Sequence, residues 1–222
     1  MARHLTLAAC QTGPIQRSAS RAETVDRLVH LLERAAAAKA DLAVFPEMAL
    51  TTFFPRWMIE DVKEVEGFFE ASMPGPQTQR LYQAAAKLGI GFALGYSELV
   101  REDGRERRFN TMDLVGRDGA FIGRYRKMHL PGSDEPLGGT TVHLERLYFE
   151  PGNLGFPVFD FGGVRVGMAL CNDRRWPETY RMLCLHGAEV VLIGYNTPVV
   201  LAEAPALAHL RMFHNHLPMQ AG

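Results

Sequence analysis

The chain has 222 residues, of which 47% are hydrophobic and 22% are charged, a composition typical of a soluble globular protein with a sizeable core. The formal net charge of −1 argues against a nucleic acid or an anionic membrane surface as the main partner. The cysteines Cys10, Cys171 and Cys184 are too few for a disulfide framework, and no apolar run approaches the roughly 20 residues of a membrane span, so a cytoplasmic protein is expected.

Strand and helix patterns alternate along the chain, and glycine-rich turns between apolar runs predict two β-hairpins. The predicted strands are His4–Cys10, Leu42–Phe45, Ile90–Leu99, Asn110–Val115, Ala120–Arg126, Phe156–Phe161, Val164–Leu170 and Val190–Ile193. Four helices are predicted. One follows a capping box at Ser20, a second follows Pro74-Gly75-Pro76, and the other two cover Pro177–His186 and Ala206–Leu217. Hairpins mixed with β-α alternation predict one mixed α/β layered domain over residues 1–222.

Two stretches stand apart from this alternation. Arg105-Glu106-Arg107-Arg108 follows Asp103-Gly104 and is interpreted as a solvated turn. The segment Met128–Asn153 has little periodicity, and an irregular segment of that length inside a compact domain is usually functional.

Three reactive side chains stand where predicted strands end, namely Glu47, Lys127 and Cys171. Strand ends are where sites collect in layered α/β folds. A cysteine attacks a carbonyl carbon as its thiolate, and a nearby carboxylate can take the thiol proton. A lysine beside both can stabilise the oxyanion, together with the backbone N–H after the cysteine.

Each of these residues also has a structural interpretation. A cysteine in a strand is often a small core residue, although the polar run after Cys171 is unusual for a core strand. Glu47 fits a helix start or a surface carboxylate, and Lys127 fits an exposed lysine after a hairpin. Cys10 and Cys184 fit core packing.

Several further polar residues are candidates for substrate contact. Arg174 and Arg175 can form a fork for a substrate carboxylate, or can be surface charges. Asn196 follows a buried strand and is a hydrogen-bonding amide or a turn residue. His129 and His143 bracket the irregular segment. A metal site is not expected, because the spacing of His209, His214 and His216 does not place them on one helix face.

Together these segments resemble the nitrilase superfamily of Glu-Lys-Cys carbon–nitrogen hydrolases. The matching stretches are Leu42-Ala43-Val44-Phe45-Pro46-Glu47, Tyr125-Arg126-Lys127-Met128-His129-Leu130 and Cys171-Asn172-Asp173-Arg174-Arg175-Trp176-Pro177-Glu178. Within the superfamily the chain is similar to N-carbamoyl-D-amino acid hydrolases. That similarity rests on His143-Leu144-Glu145, Tyr148-Phe149-Glu150-Pro151-Gly152, the cysteine block and Gly194-Tyr195-Asn196-Thr197-Pro198.

The resemblance implies a four-layer α-β-β-α sandwich, a homo-oligomer (dimer or tetramer), and no metal or organic cofactor. It implies Glu47 as general base, Cys171 as nucleophile, Lys127 as oxyanion stabiliser and Glu145 as a second glutamate that helps position the site. The implied substrate-binding residues are Arg174, Arg175, Asn172, Asn196, His143 and His129. The implied reaction converts an N-carbamoyl-D-amino acid to the D-amino acid, ammonia and carbon dioxide.

Two alternatives to that reaction stay open. One is an amidase or ureidopropionase-like enzyme of the same superfamily with another substrate. The other is a catalytically silent chain, because family members continue beyond the position of Gly222 and the domain is expected to be truncated at its C-terminus.

Overall fold

A computed structural model describes residues 3–102, 104–135 and 143–196 of the chain. The elements are β1 (Leu7–Ala9), α1 (Arg21–Ala37), β2 (Leu42–Val44), α2 (Val62–Glu66), α3 (Gln79–Leu88), β3 (Gly91–Glu102), β4 (Arg105–Val115), β5 (Phe121–Arg126), α4 (Glu145–Tyr148), β6 (Val158–Phe161), β7 (Val164–Leu170), α5 (Pro177–Leu185) and β8 (Val190–Gly194). Short 3₁₀ turns cover Phe54–Arg56 and Cys171–Arg175. The predicted helix Ala206–Leu217, with His209, His214 and His216, lies outside the described residues.

The strands form two sheets. The first has the order β1-β2-β3-β4-β5, with β1, β2 and β3 parallel and with β3, β4 and β5 antiparallel. The second has the order β6-β7-β8, in which a hairpin joins β6 to β7 and β8 runs parallel to β7. Both predicted hairpins are therefore present within a mixed α/β arrangement.

The two sheets face each other through an apolar layer. Alternate residues of β7, namely Val164, Val166, Met168 and Leu170, pack in one buried cluster with Leu42, Ala93, Met112, Leu114 and Tyr125 of the first sheet. The opposite face of β7 lies against α5, where a Cβ added at Gly167 would come within 2.8 Å of Leu183. The period of two along a strand thus separates a sheet-facing set from a helix-facing set.

The outer face of the first sheet is covered by α1 and α3. Val25, Leu28 and Leu32 of α1 pack with Leu81 of α3 and with Phe92 and Leu94 of β3 in a second buried cluster. Helices therefore flank two stacked sheets, and the expected four-layer α-β-β-α sandwich is confirmed.

Local sequence signals explain where several elements begin and end. Ser20 and Glu23 form the reciprocal capping box that was predicted in front of α1. Gly89 ends α3 with a φ of 67°, a left-handed conformation that glycine adopts without steric cost.

Two local predictions were wrong. Cys10 is buried as expected, but Cys184 of α5 is exposed and does not belong to the core. Arg105-Glu106-Arg107-Arg108 is not a turn but the start of β4, which pairs along its full length with β3. The charged side chains are accommodated because Arg107 forms ion pairs with Glu102 and Glu150, so a charged strand end can still complete the sheet.

Candidate active site

Glu47 follows β2 and is held between the two sheets by two glycines. A Cβ added at Gly95 of β3 would lie 2.7 Å from Glu47 Cα, and one added at Gly194 of β8 would lie 3.1 Å from Glu47 N. The first contact is too short for any side chain unless the backbone shifts, and the second is tighter than an ordinary van der Waals contact. The absence of side chains at these positions therefore lets the backbone of Glu47 enter the gap between the sheets.

The carboxylate of Glu47 is fully buried and hydrogen-bonded. Its Oε1 accepts from Lys127 Nζ at 2.7 Å and from Asn110 Nδ2 at 2.8 Å. Its Oε2 accepts from the backbone N–H of Asn196 at 3.2 Å. A buried carboxylate needs such partners because an unpaired charge in the interior is costly.

Lys127 follows β5 and bridges two carboxylates. Its Nζ donates to Glu47 at 2.7 Å and to Glu145 Oε2 at 2.6 Å, and the side chain is fully buried. Burial alone would lower the pKa of Lys127, but the charges of Glu145 and Glu47 outweigh that effect and raise it. Lys127 is therefore a fixed cation at neutral pH, suited to stabilising negative charge rather than to acting as a base.

Glu145 begins the short helix α4, which brings a second carboxylate to the same lysine. Burial raises the pKa of Glu145 to about 7, against the opposing effect of Lys127. Asn110 of β4 donates to both carboxylates, at 2.8 Å to Glu47 and at 3.3 Å to Glu145. The side-chain amide of Asn110 thus connects the two carboxylates by hydrogen bonds.

Cys171 occupies the sharp junction between β7 and the 3₁₀ turn. Its φ is 40°, a left-handed conformation that costs a residue with a Cβ about 1–3 kcal/mol. Burial, followed by the charge of Glu47, raises the pKa of its thiol to about 11, while Lys127 opposes that rise. The resting cysteine is therefore a neutral thiol that needs a base to become a nucleophile.

The two arginines after Cys171 have different surroundings. Arg174 is buried, and its Nη1 donates to the carbonyl oxygen of Cys171 at 2.6 Å and lies 3.5 Å from Cys171 Sγ. Its guanidinium also lies 4.9 Å from the centre of the Tyr195 ring. Arg175 is exposed, and its charge acts on both Cys171 and His143. Of the two arginines predicted to form a fork, Arg174 therefore has a buried guanidinium and Arg175 is accessible to solvent.

The remaining predicted contacts also lie around Cys171 or Glu47. Asn172 donates from Nδ2 to the carbonyl oxygen of His129 at 3.0 Å. His129 stacks on Trp176 with 5.1 Å between ring centres. Burial, then the charges of Arg56 and Lys127, lower the pKa of His143. Asn196 contributes its backbone N–H to Glu47.

A groove of about 710 Å³ opens beside Glu47. Its lining includes Phe45, Pro46, Phe53, Arg56, Tyr195 and Asn196. The Arg56 guanidinium lies 5.7 Å from the Phe53 ring, which in turn lies 6.3 Å from the ring of His143. The volume is that of a small-molecule site, and Arg56 adds a further cation near the predicted arginines.

Sequence reasoning missed three residues of this region, namely Asn110, Arg56 and Asp173. Asn110 and Asp173 carry a readable signal, because a polar residue inside or directly after an apolar strand requires a buried partner. Arg56 has no such signal in the sequence.

Within the described ranges, no group of three or more His, Cys, Asp or Glu residues is arranged to hold a metal ion. No helix among the described residues is long and apolar enough to cross a membrane.

Comparisons with known proteins agree with this architecture. A nitrilase of Pyrococcus abyssi is 34% identical over 185 residues, which cover 83% of this chain and 62% of the relative. An N-carbamoylputrescine amidase of Solanum tuberosum is 30% identical over 193 residues, which cover 85% of this chain and 57% of the relative. The chain thus spans about three fifths of the length of these curated relatives.

Solved structures share the fold. A carbon–nitrogen hydrolase from Helicobacter pylori G27 superimposes with a TM-score of 0.79 at 22% identity, covering 98% of this chain and 69% of the other. An amidase from Nesterenkonia sp. superimposes with a TM-score of 0.69 at 21% identity, covering 91% of this chain and 68% of the other. The sequence profile described as carbon-nitrogen hydrolase matches residues 6–221. The chain therefore belongs to the carbon–nitrogen hydrolase family.

Proposed function

We propose that the chain hydrolyses the carbon–nitrogen bond of a small amide or N-carbamoyl compound, with Cys171 as nucleophile. The observation that carries the proposal is the fully buried Lys127 bridging Glu47 and Glu145, beside a cysteine on a strained strand-to-turn junction. The names of the relatives, a nitrilase and an N-carbamoylputrescine amidase, support the reaction class.

In the first half-reaction, Glu47 takes the proton of the Cys171 thiol as the sulfur attacks the carbonyl carbon. The oxyanion that forms is stabilised by Lys127 and by the backbone N–H of Asn172, which follows the nucleophile. Glu47 then gives its proton to the leaving nitrogen, the C–N bond breaks, and ammonia leaves an acyl or carbamoyl thioester on the enzyme.

In the second half-reaction, water replaces ammonia. Glu47 takes a proton from the water as its oxygen attacks the thioester carbon, the C–S bond breaks, and the proton returns to the sulfur. An amide substrate gives a carboxylic acid. An N-carbamoyl amino acid gives the N-carboxy compound, which loses carbon dioxide to leave the amino acid.

The finer proposal concerns the substrate, which we infer to carry a carboxylate. Arg174, Arg175 and Arg56 lie around Cys171, His143 and the groove, and guanidinium groups bind carboxylates bidentately. Their charges favour an N-carbamoyl amino acid over an amine-bearing compound such as N-carbamoylputrescine. The D configuration rests only on the resemblance of the cysteine block and of His143-Leu144-Glu145 to D-carbamoylases.

The test is ammonia release from four substrates under one set of conditions. They are N-carbamoyl-D-phenylglycine, its L enantiomer, N-carbamoylputrescine and a neutral aliphatic amide, with the Cys171→Ala variant as blank. Release that depends on Cys171 supports the reaction class, and a preference for the D-carbamoyl compound supports the finer proposal.

Other outcomes redirect or end the proposal. Faster turnover of the neutral amide or of N-carbamoylputrescine would favour the amidase alternative. No release from any substrate by chain that is folded by circular dichroism would favour the silent-chain alternative. A homo-oligomer and a single domain over residues 1–222 stay predictions, which sedimentation and limited proteolysis of the same sample can test.

A further inference from the structure

Asp173 is a fully buried carboxylate that the proposed chemistry does not use. It lies two residues after Cys171 in the 3₁₀ turn and is 0% exposed. Both of its oxygens are engaged. Oδ2 accepts from Leu170 N at 3.0 Å and from the Tyr125 hydroxyl at 2.7 Å, and Oδ1 accepts from His129 N at 2.9 Å.

A fourth contact fixes a ring. His129 Nδ1 lies 2.9 Å from Asp173 Oδ1. Because carboxylate oxygens accept hydrogen bonds, this contact is a hydrogen bond in the tautomer that carries its ring proton on Nδ1. The His129 ring is also held by stacking on the Trp176 ring, with 5.1 Å between the ring centres. The carboxylate therefore has a saturated and rigid set of donors.

The partners of Asp173 surround the two reactive groups in sequence. Leu170 directly precedes Cys171, whereas Tyr125 and His129 lie two residues before and two residues after Lys127. Tyr125 belongs to β5 of the first sheet and Leu170 to β7 of the second. One carboxylate thus connects the segment that carries the nucleophile to the segment that carries the lysine, across the gap between the sheets.

The backbone of Cys171 is strained, so it needs contacts such as those of Asp173 to hold it in place. A φ of 40° at a residue with a Cβ persists only where the surroundings impose it. The bond from Leu170 N to Asp173 closes the turn directly over Cys171. The bonds to Tyr125 and His129 set how far that turn lies from Lys127.

We propose that Asp173 is a positioning residue, which fixes the placement of Cys171 relative to Lys127 without contacting the substrate. The inference rests on the proposed function, in which Cys171 attacks the carbonyl carbon and Lys127 stabilises the oxyanion that forms. A misplacement of about 1 Å between such groups can lower a rate roughly 100-fold. The effect should fall on kcat rather than on KM, because Asp173 does not touch the bound molecule.

The test compares Asp173→Asn with Asp113→Asn. Asparagine keeps the shape of the side chain, but its NH₂ must face either the Leu170 N–H or the His129 N–H, where only an acceptor fits. Asp113 is also fully buried, and it pairs with Arg124 and Tyr96 on the opposite, helix-facing side of β4. It therefore controls for the general cost of losing a buried carboxylate.

Two readouts are measured at a temperature where circular dichroism shows both variants folded. One is kcat and KM for the best substrate, and the other is the rate of Cys171 alkylation by iodoacetamide, located by peptide mapping. Asp173→Asn should lower kcat about 30-fold or more with KM changed less than about threefold, and should change the alkylation rate at least about fivefold. Tyr125→Phe, which removes one of the four contacts, should give a smaller loss of kcat.

Equal behaviour of the two aspartate variants overturns the proposal, as does a kcat of Asp173→Asn within about twofold of the unaltered chain. Failure of the proposed function is recognised separately, because the unaltered chain would then release no ammonia from any substrate. In that case the alkylation rate alone decides. An alkylation rate that is the same in Asp173→Asn and in the unaltered chain would show that Asp173 does not position Cys171.

Discussion

Replacing Glu47 by glutamine should remove the general base while leaving the other groups of the site in place. The pKa of the Cys171 thiol is raised to about 11, so at pH 8 about one thiol in 1,000 is ionised without help. A positioned base removes that penalty, and such catalysis typically contributes about 100- to 10,000-fold. We therefore expect Glu47→Gln to lower kcat/KM about 1,000-fold at pH 8.

The pH dependence of the residual rate gives a sharper result than the loss itself. Without a base, turnover must use the small thiolate fraction, which grows about tenfold for each pH unit below the thiol pKa. The rate of Glu47→Gln should therefore climb steeply from pH 7 to 10, whereas the unaltered chain should vary little. Glutamine also removes the negative charge that helps to raise the pKa of Cys171, which shifts this climb to somewhat lower pH.

Controls separate this effect from misfolding. The amide oxygen of glutamine can still accept from Lys127 and Asn110, so the variant should fold and its Cys171 should still react with iodoacetamide. Glu178→Gln, at an exposed glutamate seven residues after Cys171, should keep full activity. A Glu47→Gln variant with more than a tenth of the activity and a flat pH profile would show that Glu47 is not the base.

Two further predictions test the surroundings of Cys171. Arg175→Ala should raise KM for carboxylate-bearing substrates about tenfold or more while changing KM for a neutral amide little, because a charge-assisted bidentate contact contributes about 1.5–3 kcal/mol; equal effects on both substrates would refute the fork. Iodoacetamide should modify Cys171 before the buried Cys10 in the folded chain, because Cys171 has a carboxylate and a lysine beside it. The exposed Cys184 serves as the reference for an accessible thiol, and peptide mapping that found Cys10 and Cys171 labelled equally would count against the nucleophile.

Local structure was predictable from the sequence where one short segment decides it. The capping box at Ser20, the glycine after α3 and the Gly162-Gly163 hairpin each specify their own backbone, and each is present. The three reactive residues were also identified correctly as strand-end residues. What brings them together is the pairing order of two sheets, which depends on contacts between distant segments and is not written in any one of them.

Buried polar residues show the same limit. Asn110 is recognisable in the sequence as a polar residue on a strand that needs a partner, but the two carboxylates to which it donates belong to other elements. The charged start of β4 was predicted to be a turn, because the ion-pair partner of Arg107 is Glu150, which lies about 40 residues later in the sequence. In both cases the deciding interaction is long-range, so propensity and local periodicity could not reveal it.

The charges around Lys127 imply that the site is built at the expense of stability. The lysine is one cation shared by two carboxylates, so the cluster carries an excess negative charge when both acids are ionised. The raised pKa of Glu145, about 7 and caused first by burial, expresses that cost. Glu145→Gln would leave a balanced Lys127–Glu47 pair with a neutral acceptor in place of the second acid.

The sign of the pH effect follows from linkage. The pKa of Glu145 is about 7 in the folded chain and about 4.3 when unfolded, so its contribution to stability is complete below pH 4.3 and is lost as the pH rises through 7. The unaltered chain should lose about 2–3 kcal/mol of unfolding free energy from this group between pH 5 and pH 8, and Glu145→Gln should not. Urea unfolding of both chains at the two pH values measures the difference. A variant that is destabilised equally at pH 5 and pH 8, rather than relatively more stable at pH 8, would contradict the excess charge assigned to the cluster.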